Sequence, residues 1–145
     1  MIQNERITED LLNEVVPLLK KHYNEVGTEG YAISPDRAMY IKSSASGLYA
    51  CYTLRVVERL VGYLGFWILS HPHYLMNVAQ MDLLFIEKEY RGGSAVKLIK
   101  FSEIDLKENY NIDVIFQSTS SKRDIGPLFL RLGYKNSDKM FMKEL

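Results

Sequence analysis

The sequence has little of what marks a secreted, membrane-spanning or disordered chain. It contains one cysteine, Cys51, so no disulfide framework can form, and the lack of a signal peptide adds to the expectation of a reducing cytoplasm. No apolar run approaches the roughly 20 residues that a membrane span needs, so we expect no membrane partner. Four prolines and nine glycines are scattered without forming a linker, a low-complexity tract or an internal repeat.

The sequence also has no excess of either positive or negative charge. Eighteen Lys and Arg balance eighteen Asp and Glu, so the net charge is zero and no overall field would gather a polyanion. The lysines at 97, 100 and 107 are typical of the solvated face of a helix, and we expect no nucleic-acid partner. A hydrophobic share of 47% over 145 residues indicates a soluble globular protein with one domain, residues 1–145.

Hydrophobic periodicity predicts an α/β fold. Helical spacing or capping patterns occur over residues 8–23, from Ser34 to before Gly47, and over residues 94–110 and 125–132. Strand patterns occur over residues 48–57, 60–69, 76–86, 112–117 and 139–145. The first two strands form a predicted hairpin, and the strand, helix, strand succession at residues 76–117 requires a parallel pair. The sheet is therefore expected to be mixed.

The most informative segment is the turn Tyr90-Arg91-Gly92-Gly93-Ser94, which lies between a buried strand and a helix. Two glycines let the backbone approach a phosphate closely, the helix start adds partial positive charge, and Arg91 adds a full charge. A pyrophosphate would suit such a turn. Neither the dinucleotide pattern G-x-G-x-x-G nor the P-loop pattern is present, and a tight turn with a solvated arginine is the alternative.

The order of elements, the Tyr-Arg-Gly-Gly turn and the segment Leu128-Phe129-Leu130-Arg131-Leu132-Gly133-Tyr134 together resemble the GNAT family of acyl-CoA-dependent N-acyltransferases. The resemblance implies one mixed, mostly antiparallel sheet of about six or seven strands, with a central splayed parallel pair and about four helices. It also implies that acetyl-CoA is the co-substrate. The residues expected to bind it are Leu84, Phe85, Ile86, Arg91, Gly92, Gly93, Ser94, Ala95, Val96, Ser120, Lys122 and Phe129.

The sequence departs from the family pattern at two places. A loop motif starting at Arg91 would put Ser94 and Val96 where the family has glycines, whereas a start at Tyr90 recovers Gly93 and Ala95 but lacks the leading Gln or Arg. At the other end, Phe129 stands where the family often has a tyrosine that protonates the departing thiolate. These departures keep open a catalytically weak or inactive protein of the same fold that binds CoA or a macromolecular partner.

Acyl transfer to an amine needs a group that accepts a proton and is helped by one that returns a proton to the thiolate. Asp82, bracketed by apolar residues in a predicted strand, is our first choice of base, because burial raises the pKa of a carboxyl group. Its alternative is a strand aspartate paired with an arginine or with backbone amides. Glu87, expected to be exposed, is the second choice of base. Tyr134 and Ser121 are the candidate acids.

Three further groups of residues are weighed as candidates for metal binding, nucleophilic catalysis and acceptor binding. His71 and His73 have no nearby third ligand, so we predict no metal site. Cys51 is interpreted as a small buried side chain rather than a nucleophile. Four tyrosines of the N-terminal helices and the first hairpin strand are candidates for the acceptor pocket, with ordinary packing as the alternative: Tyr23, Tyr31, Tyr40 and Tyr49.

The resemblance implies an acetyl-CoA-dependent N-acetyltransferase that transfers an acetyl group to a primary amine of a small molecule or a protein by direct attack. The acceptor cannot be identified from the residues, because acceptor pockets in this fold are built from variable helices and loops. A homodimer is compatible with the sequence, since strand-edge dimers are common among proteins of this kind.

Overall fold

The structure is a computed structural model that describes all 145 residues. Four α-helices are present, as predicted: α1 (Glu9–Val26), α2 (Arg37–Ala45), α3 (Gly93–Tyr110) and α4 (Gly126–Arg131). The five strands are β1 (Ile2–Asn4), β2 (Tyr49–Val56), β3 (Arg59–Ser70), β4 (Asn77–Ile86) and β5 (Val114–Phe116). A single 3₁₀ turn, Lys88–Tyr90, connects β4 to α3.

The five strands form one mixed sheet in the order β1-β2-β3-β4-β5. All neighbours are antiparallel except β4 and β5, which are parallel and joined through α3. The β2–β3 hairpin turns at Val57 and Glu58, which both have positive φ angles, as a tight two-residue hairpin turn requires. The predicted hairpin and parallel pair are therefore confirmed.

Each face of the sheet buries its own apolar cluster. On one face, α3 and α4 pack on the sheet through side chains such as Leu98, Ile99 and Phe129. On the other face, α1 packs through Leu11, Leu12 and Leu18 against strand residues that include Tyr63 and Phe85. The sheet is thus a middle layer between two helical layers, and residues along β4 reach both sides. No helix combines the length and apolarity that crossing a bilayer requires.

The prediction of six or seven strands is wrong, because the sheet has five. Residues 139–145 form no strand, and the parallel pair consequently lies at the edge of the sheet rather than at its centre. β5 is only three residues long, so its outer edge offers few backbone groups for a further strand. The apolar side chains of Met140, Phe141 and Met142 remain exposed.

The structure also contains one strand that was not predicted, and one helix begins later than predicted. β1 is too short for a periodic pattern and is held by pairing with β2. The cap of α2 is Asp36 rather than Ser34, because the Asp36 carboxylate accepts a 3.0 Å hydrogen bond from the N–H of Met39. Pro35 therefore precedes the helix.

Candidate active site

A β-bulge interrupts β4 at Asp82. Across the β3–β4 ladder, Gly65 pairs with Leu83 and the next residue, Phe66, pairs with Met81, so Asp82 has no partner of its own. A bulge reorients the side chains that follow it, and bulges are enriched beside active sites. Met81 and Leu84 therefore both face α3, whereas strict alternation along a regular strand would put them on opposite faces.

The bulge places Asp82 on the α1 side of the sheet, where two tyrosines hold it. The hydroxyl groups of Tyr40 and Tyr49 donate hydrogen bonds of 2.8 and 2.9 Å to its Oδ2 atom. Its Oδ1 atom accepts no hydrogen bond and remains accessible to solvent. Asp82 is thus partnered by hydroxyl groups and not by the arginine or backbone amides of the alternative reading, and one oxygen is free for a substrate.

The two tyrosines belong to an aromatic group that also includes Trp67. The Tyr49 and Trp67 rings meet edge to face at 4.7 Å between centroids, and the Tyr40 ring stacks on Trp67 at 5.6 Å. Burial and the neighbouring Asp82 charge raise the pKa of both tyrosines above its ordinary value. Both hydroxyl groups therefore stay protonated and act as donors to Asp82 at neutral pH.

Beyond the bulge, β4 continues without a neighbour on its outer side. The last β4–β5 pair is Gln80 with Phe116, where β5 ends. The N–H of Glu87 donates to the carbonyl of Val61 on β3, and antiparallel bonding alternates along a ladder. The backbone groups of Leu84 and Ile86 therefore point away from β3, into the gap beside β4, whereas those of Phe85, also predicted to bind the cofactor, point toward β3.

The glycine loop at the end of this gap presents unpaired donors. Gly92 has a φ of 88° and is the residue before α3, and Gly93 begins the helix. The N–H groups of Gly92, Gly93, Ser94 and Ala95 donate no hydrogen bond. A Cβ atom added at Gly93 would meet nothing within 4 Å, so the space in front of the loop is open. The loop has the donors and the room that a phosphate group requires.

Arg91, expected to reach the phosphates, is engaged within the protein. Its Nη2 atom donates to both carboxylate oxygens of Glu25 at 2.7 and 2.9 Å, and its Nε atom donates to the carbonyl of Ile86 at 2.7 Å. Glu25 also pairs with Arg123 at 2.5 Å. Partial burial favours a higher pKa for Glu25, but the hydrogen bonds and charges of the two arginines outweigh it and lower the pKa.

A cavity of about 1000 Å³ begins at the last β4–β5 pair. It is bordered by the end of α1, by β5, by the loop from β5 to α4, and by the C-terminal segment. The predicted site residues that line it are Ser120, Ser121, Lys122, Phe129 and Tyr134. The glycine loop and Asp82 do not line this cavity, so the predicted residues fall into separate groups along the gap.

Tyr134 has two hydrogen bonds that orient its hydroxyl group. It donates to Glu103 at 2.7 Å and accepts from the side-chain amide of Gln117 at 3.2 Å, and its ring contacts that of Phe129. Burial and the Glu103 carboxylate raise its pKa. The side-chain oxygen of Gln117 is buried without a partner. Ser121 is exposed, and Lys122 donates to the backbone carbonyl of Gly27.

Glu87 is buried, contrary to the expectation of an exposed side chain. Only 3% of its surface is accessible, and its two carboxylate oxygens pair with Lys21 and Arg59. This arrangement ties the end of β4 to α1 and β3. Both oxygens have charged partners, so Glu87 is less available to a substrate than Asp82.

The sequence did not identify His22 and Glu25 as residues near the site. It also did not distinguish the two tyrosines that contact Asp82 from the two that do not. The ring of His22 stacks on Phe85 at 5.2 Å, its Nδ1 atom lies 3.0 Å from the Tyr63 hydroxyl, and burial lowers its pKa. Of the four candidate tyrosines, only Tyr40 and Tyr49 reach Asp82. Tyr23 donates to the carbonyl of Thr28, and Tyr31 donates to Glu144. Helical spacing gives no signal for these contacts. Apart from the Tyr23–Thr28 bond, they connect segments that are distant in the sequence.

Solved structures with the same fold cover essentially the whole chain. A GCN5-related N-acetyltransferase from Ralstonia eutropha JMP134 is 16% identical, with a TM-score of 0.78 and 99% of each chain covered. A ribosomal-protein-alanine N-acetyltransferase from Brucella melitensis biovar Abortus 2308 is 18% identical, with a TM-score of 0.75 over 100% of this chain and 99% of that one. A predicted acetyltransferase from Clostridium acetobutylicum, solved with acetyl-CoA, is 15% identical, with a TM-score of 0.74 over 99% and 96%.

The chain therefore has the GNAT acetyltransferase fold, and the resemblance predicted from the sequence is confirmed at the level of the fold. No family model matches the sequence, and no curated protein does so.

Proposed function

We propose that the protein is an acetyl-CoA-dependent N-acetyltransferase. The observation that carries the proposal is the shape of β4: a bulge presents Asp82 on the α1 side, and beyond Gln80 the outer edge of the strand is open. The GNAT fold and a neighbour solved with acetyl-CoA support the same reading. The four unpaired amides of the glycine loop fit the phosphate groups of that molecule.

Acetyl-CoA would supply an acetyl thioester, and the protein would orient it and manage two protons. The outward N–H groups of Leu84 and Ile86 are placed to donate to a carbonyl oxygen in the gap, where such donors stabilise the charge that develops during attack. The loop amides from Gly92 to Ala95 would hold the diphosphate. Direct attack by an amine then needs no acyl-enzyme, and the buried thiol of Cys51 has no role.

Asp82 would accept the proton of the attacking ammonium group, directly or through one water molecule. Its free Oδ1 atom is available for that contact, while the two tyrosine hydroxyl groups fix the orientation of the carboxylate. Tyr134 or Ser121 would return a proton to the thiolate, and both line the cavity. Tyr134 has its proton directed at Glu103, so this role requires that the Tyr134–Glu103 bond be exchanged.

Release of free thiol from acetyl-CoA in the presence of a panel of amines tests the proposal. The panel contains polyamines, aminoglycosides, amino acids and peptides, and calorimetry with acetyl-CoA is run in parallel. We expect binding in calorimetry and thiol release above the amine-free background with at least one acceptor class. Failure to bind acetyl-CoA would refute the proposal.

A second candidate, a protein that binds CoA without transferring the acetyl group, is favoured by Phe129. This residue is 6% exposed, lines the cavity and has no hydroxyl group to protonate a thiolate. Calorimetric binding of acetyl-CoA combined with no thiol release across the whole panel would favour this second candidate over the enzyme.

A further inference from the structure

An ion-pair bridge joins three segments at the end of the gap between β4 and β5. Arg91 belongs to the loop after β4, Arg123 to the loop after β5, and Glu25 to the last turn of α1. The Glu25 carboxylate pairs with both guanidinium groups, and 19% of its side-chain surface is accessible. The bridge therefore crosses from one side of the gap to the other.

We propose that Glu25 is a displaceable counter-anion that occupies a two-arginine anion site, and that a diphosphate group of a ligand takes its place. The inference rests on the proposed function, because the diphosphate is that of acetyl-CoA. The inference adds Arg123 as a ligand-binding residue. It also makes Glu25 a competitor of the diphosphate for the two arginines.

The chemistry of the two anions favours exchange. Guanidinium groups bind carboxylates and phosphates with the same paired geometry, but a diphosphate has more charge and more acceptor oxygens than one carboxylate. It could also accept from the free N–H groups of Gly92 and Gly93, which Glu25 leaves unused. The loop that carries Arg91 thus retains unpaired donors that a larger anion could use in addition to the guanidinium groups.

The position of Arg91 is consistent with this role. Its Nε atom is anchored on the carbonyl of Ile86, and its guanidinium carbon lies 5.6 Å from the centre of the Phe85 ring. These contacts hold the guanidinium group beside the gap independently of Glu25. Loss of the Glu25 carboxylate should therefore free the group for a ligand without displacing it.

Calorimetry with CoA and with inorganic pyrophosphate, on the wild type and on Glu25→Gln, tests the proposal. We expect Glu25→Gln to bind both probes about tenfold more tightly, because one competing charge is removed from two guanidinium groups. The ligand-free variant should also melt at a lower temperature than the wild type, since the bridge is lost. Glu9→Gln is the matched control: it removes another α1 carboxylate paired with an arginine, Arg37, far from the gap.

Adding Arg123→Gln to the Glu25→Gln variant should abolish the gain in affinity. Weaker or unchanged CoA binding by Glu25→Gln would overturn the proposal, because it would show that Glu25 positions the arginines or is irrelevant to them. Tighter pyrophosphate binding without any CoA binding would support the anion site and refute the acetyl-CoA function. CoA binding of equal strength in both proteins would refute the counter-anion alone.

Discussion

The hydroxyl group of Tyr49 on β2 donates a 2.9 Å hydrogen bond to the carboxylate of Asp82 on β4, and β3 lies between these two strands. The intervening strand contributes Gly65 at this point, and a Cβ atom there would lie 1.9 Å from the Tyr49 hydroxyl oxygen. The absence of a side chain at Gly65 therefore lets the tyrosine reach the bulge. The catalytic proposal for Asp82 depends on this contact.

Asp82→Asn should lower kcat by about 10²–10⁴-fold, the usual contribution of a general base. Asparagine keeps the size of the side chain and can still accept from the two tyrosines, so the fold should persist. The measurement is steady-state thiol release with a saturating acceptor. Asp105→Asn is the matched control, since Asp105 accepts a 2.8 Å bond from the Tyr52 hydroxyl. Equal losses in both variants would argue against a catalytic role for Asp82.

Gly93→Glu should abolish acetyl-CoA binding while leaving the fold intact. The position has open space and an ordinary φ, and an acidic residue is favourable in the first turn of a helix. A carboxylate in front of the loop would repel the diphosphate, so we expect at least about a hundredfold weaker binding in calorimetry. Gly93→Gln has the same size without the charge and should bind far better than the glutamate variant. Unchanged affinity in Gly93→Glu would place the phosphates elsewhere.

Cys51 should be unreactive in the folded protein. Its thiol is buried in β2, and burial, with a contribution from the Glu5 carboxylate, raises its pKa to about 12. The thiolate is the reactive form, so very little is present at neutral pH. Native protein treated with iodoacetamide should show no mass increase within a time that fully modifies urea-unfolded protein. Rapid native alkylation would show that the strand opens or that the thiol is activated.

Glu5 should make stability depend on acid pH. Burial favours a higher pKa, but hydrogen bonds from Arg55, Thr53 and Gln3 outweigh it and lower the pKa to about 2. A lowered folded-state pKa means that the contribution is complete above about pH 4.5 and is lost as the pH falls toward 2.

Urea unfolding of the wild type and Glu5→Gln at pH 6 and pH 3 measures this effect. The stability advantage of the wild type should be smaller at pH 3. The pKa difference alone predicts a loss of about 2 kcal/mol, and solvent screening of the partly exposed pair should reduce it to about 1 kcal/mol. If the advantage of the wild type does not shrink at pH 3, the pKa of Glu5 is not lower in the folded protein than in the unfolded protein.

Features encoded in short segments were predictable, whereas contacts between distant segments were not. The two adjacent glycines after a buried strand predict a tight turn into a helix, and α3 begins at Gly93, one residue before the predicted start. The bulge at Asp82 leaves no local pattern, because apolar residues surround it in either register. The Glu25–Arg91 pair joins residues 66 positions apart, and a single acid near a helix end gives no sign of its partner.

Phe129→Tyr should raise kcat if the protein is an acetyltransferase. The family that the sequence resembles often has a tyrosine where this chain has Phe129, and that tyrosine protonates the departing thiolate. Phe129 lines the cavity with its ring 5.6 Å from that of Tyr134. A thiolate is a good leaving group, so the gain should be smaller than the 10²–10⁴-fold that a general acid usually contributes, about tenfold at most.

The gain should appear in kcat, with little change in the KM for acetyl-CoA, because an added acid acts on the leaving group rather than on binding. Phe101→Tyr, on the partly exposed side of α3, adds the same hydroxyl group away from the cavity and should leave kcat unchanged. If Phe129→Tyr leaves kcat unchanged while the protein stays folded and active, proton return to the thiolate does not pass through this position. The thiolate would then take its proton from water, from Ser121 or from Tyr134, and the phenylalanine would serve only to pack α4 against the sheet.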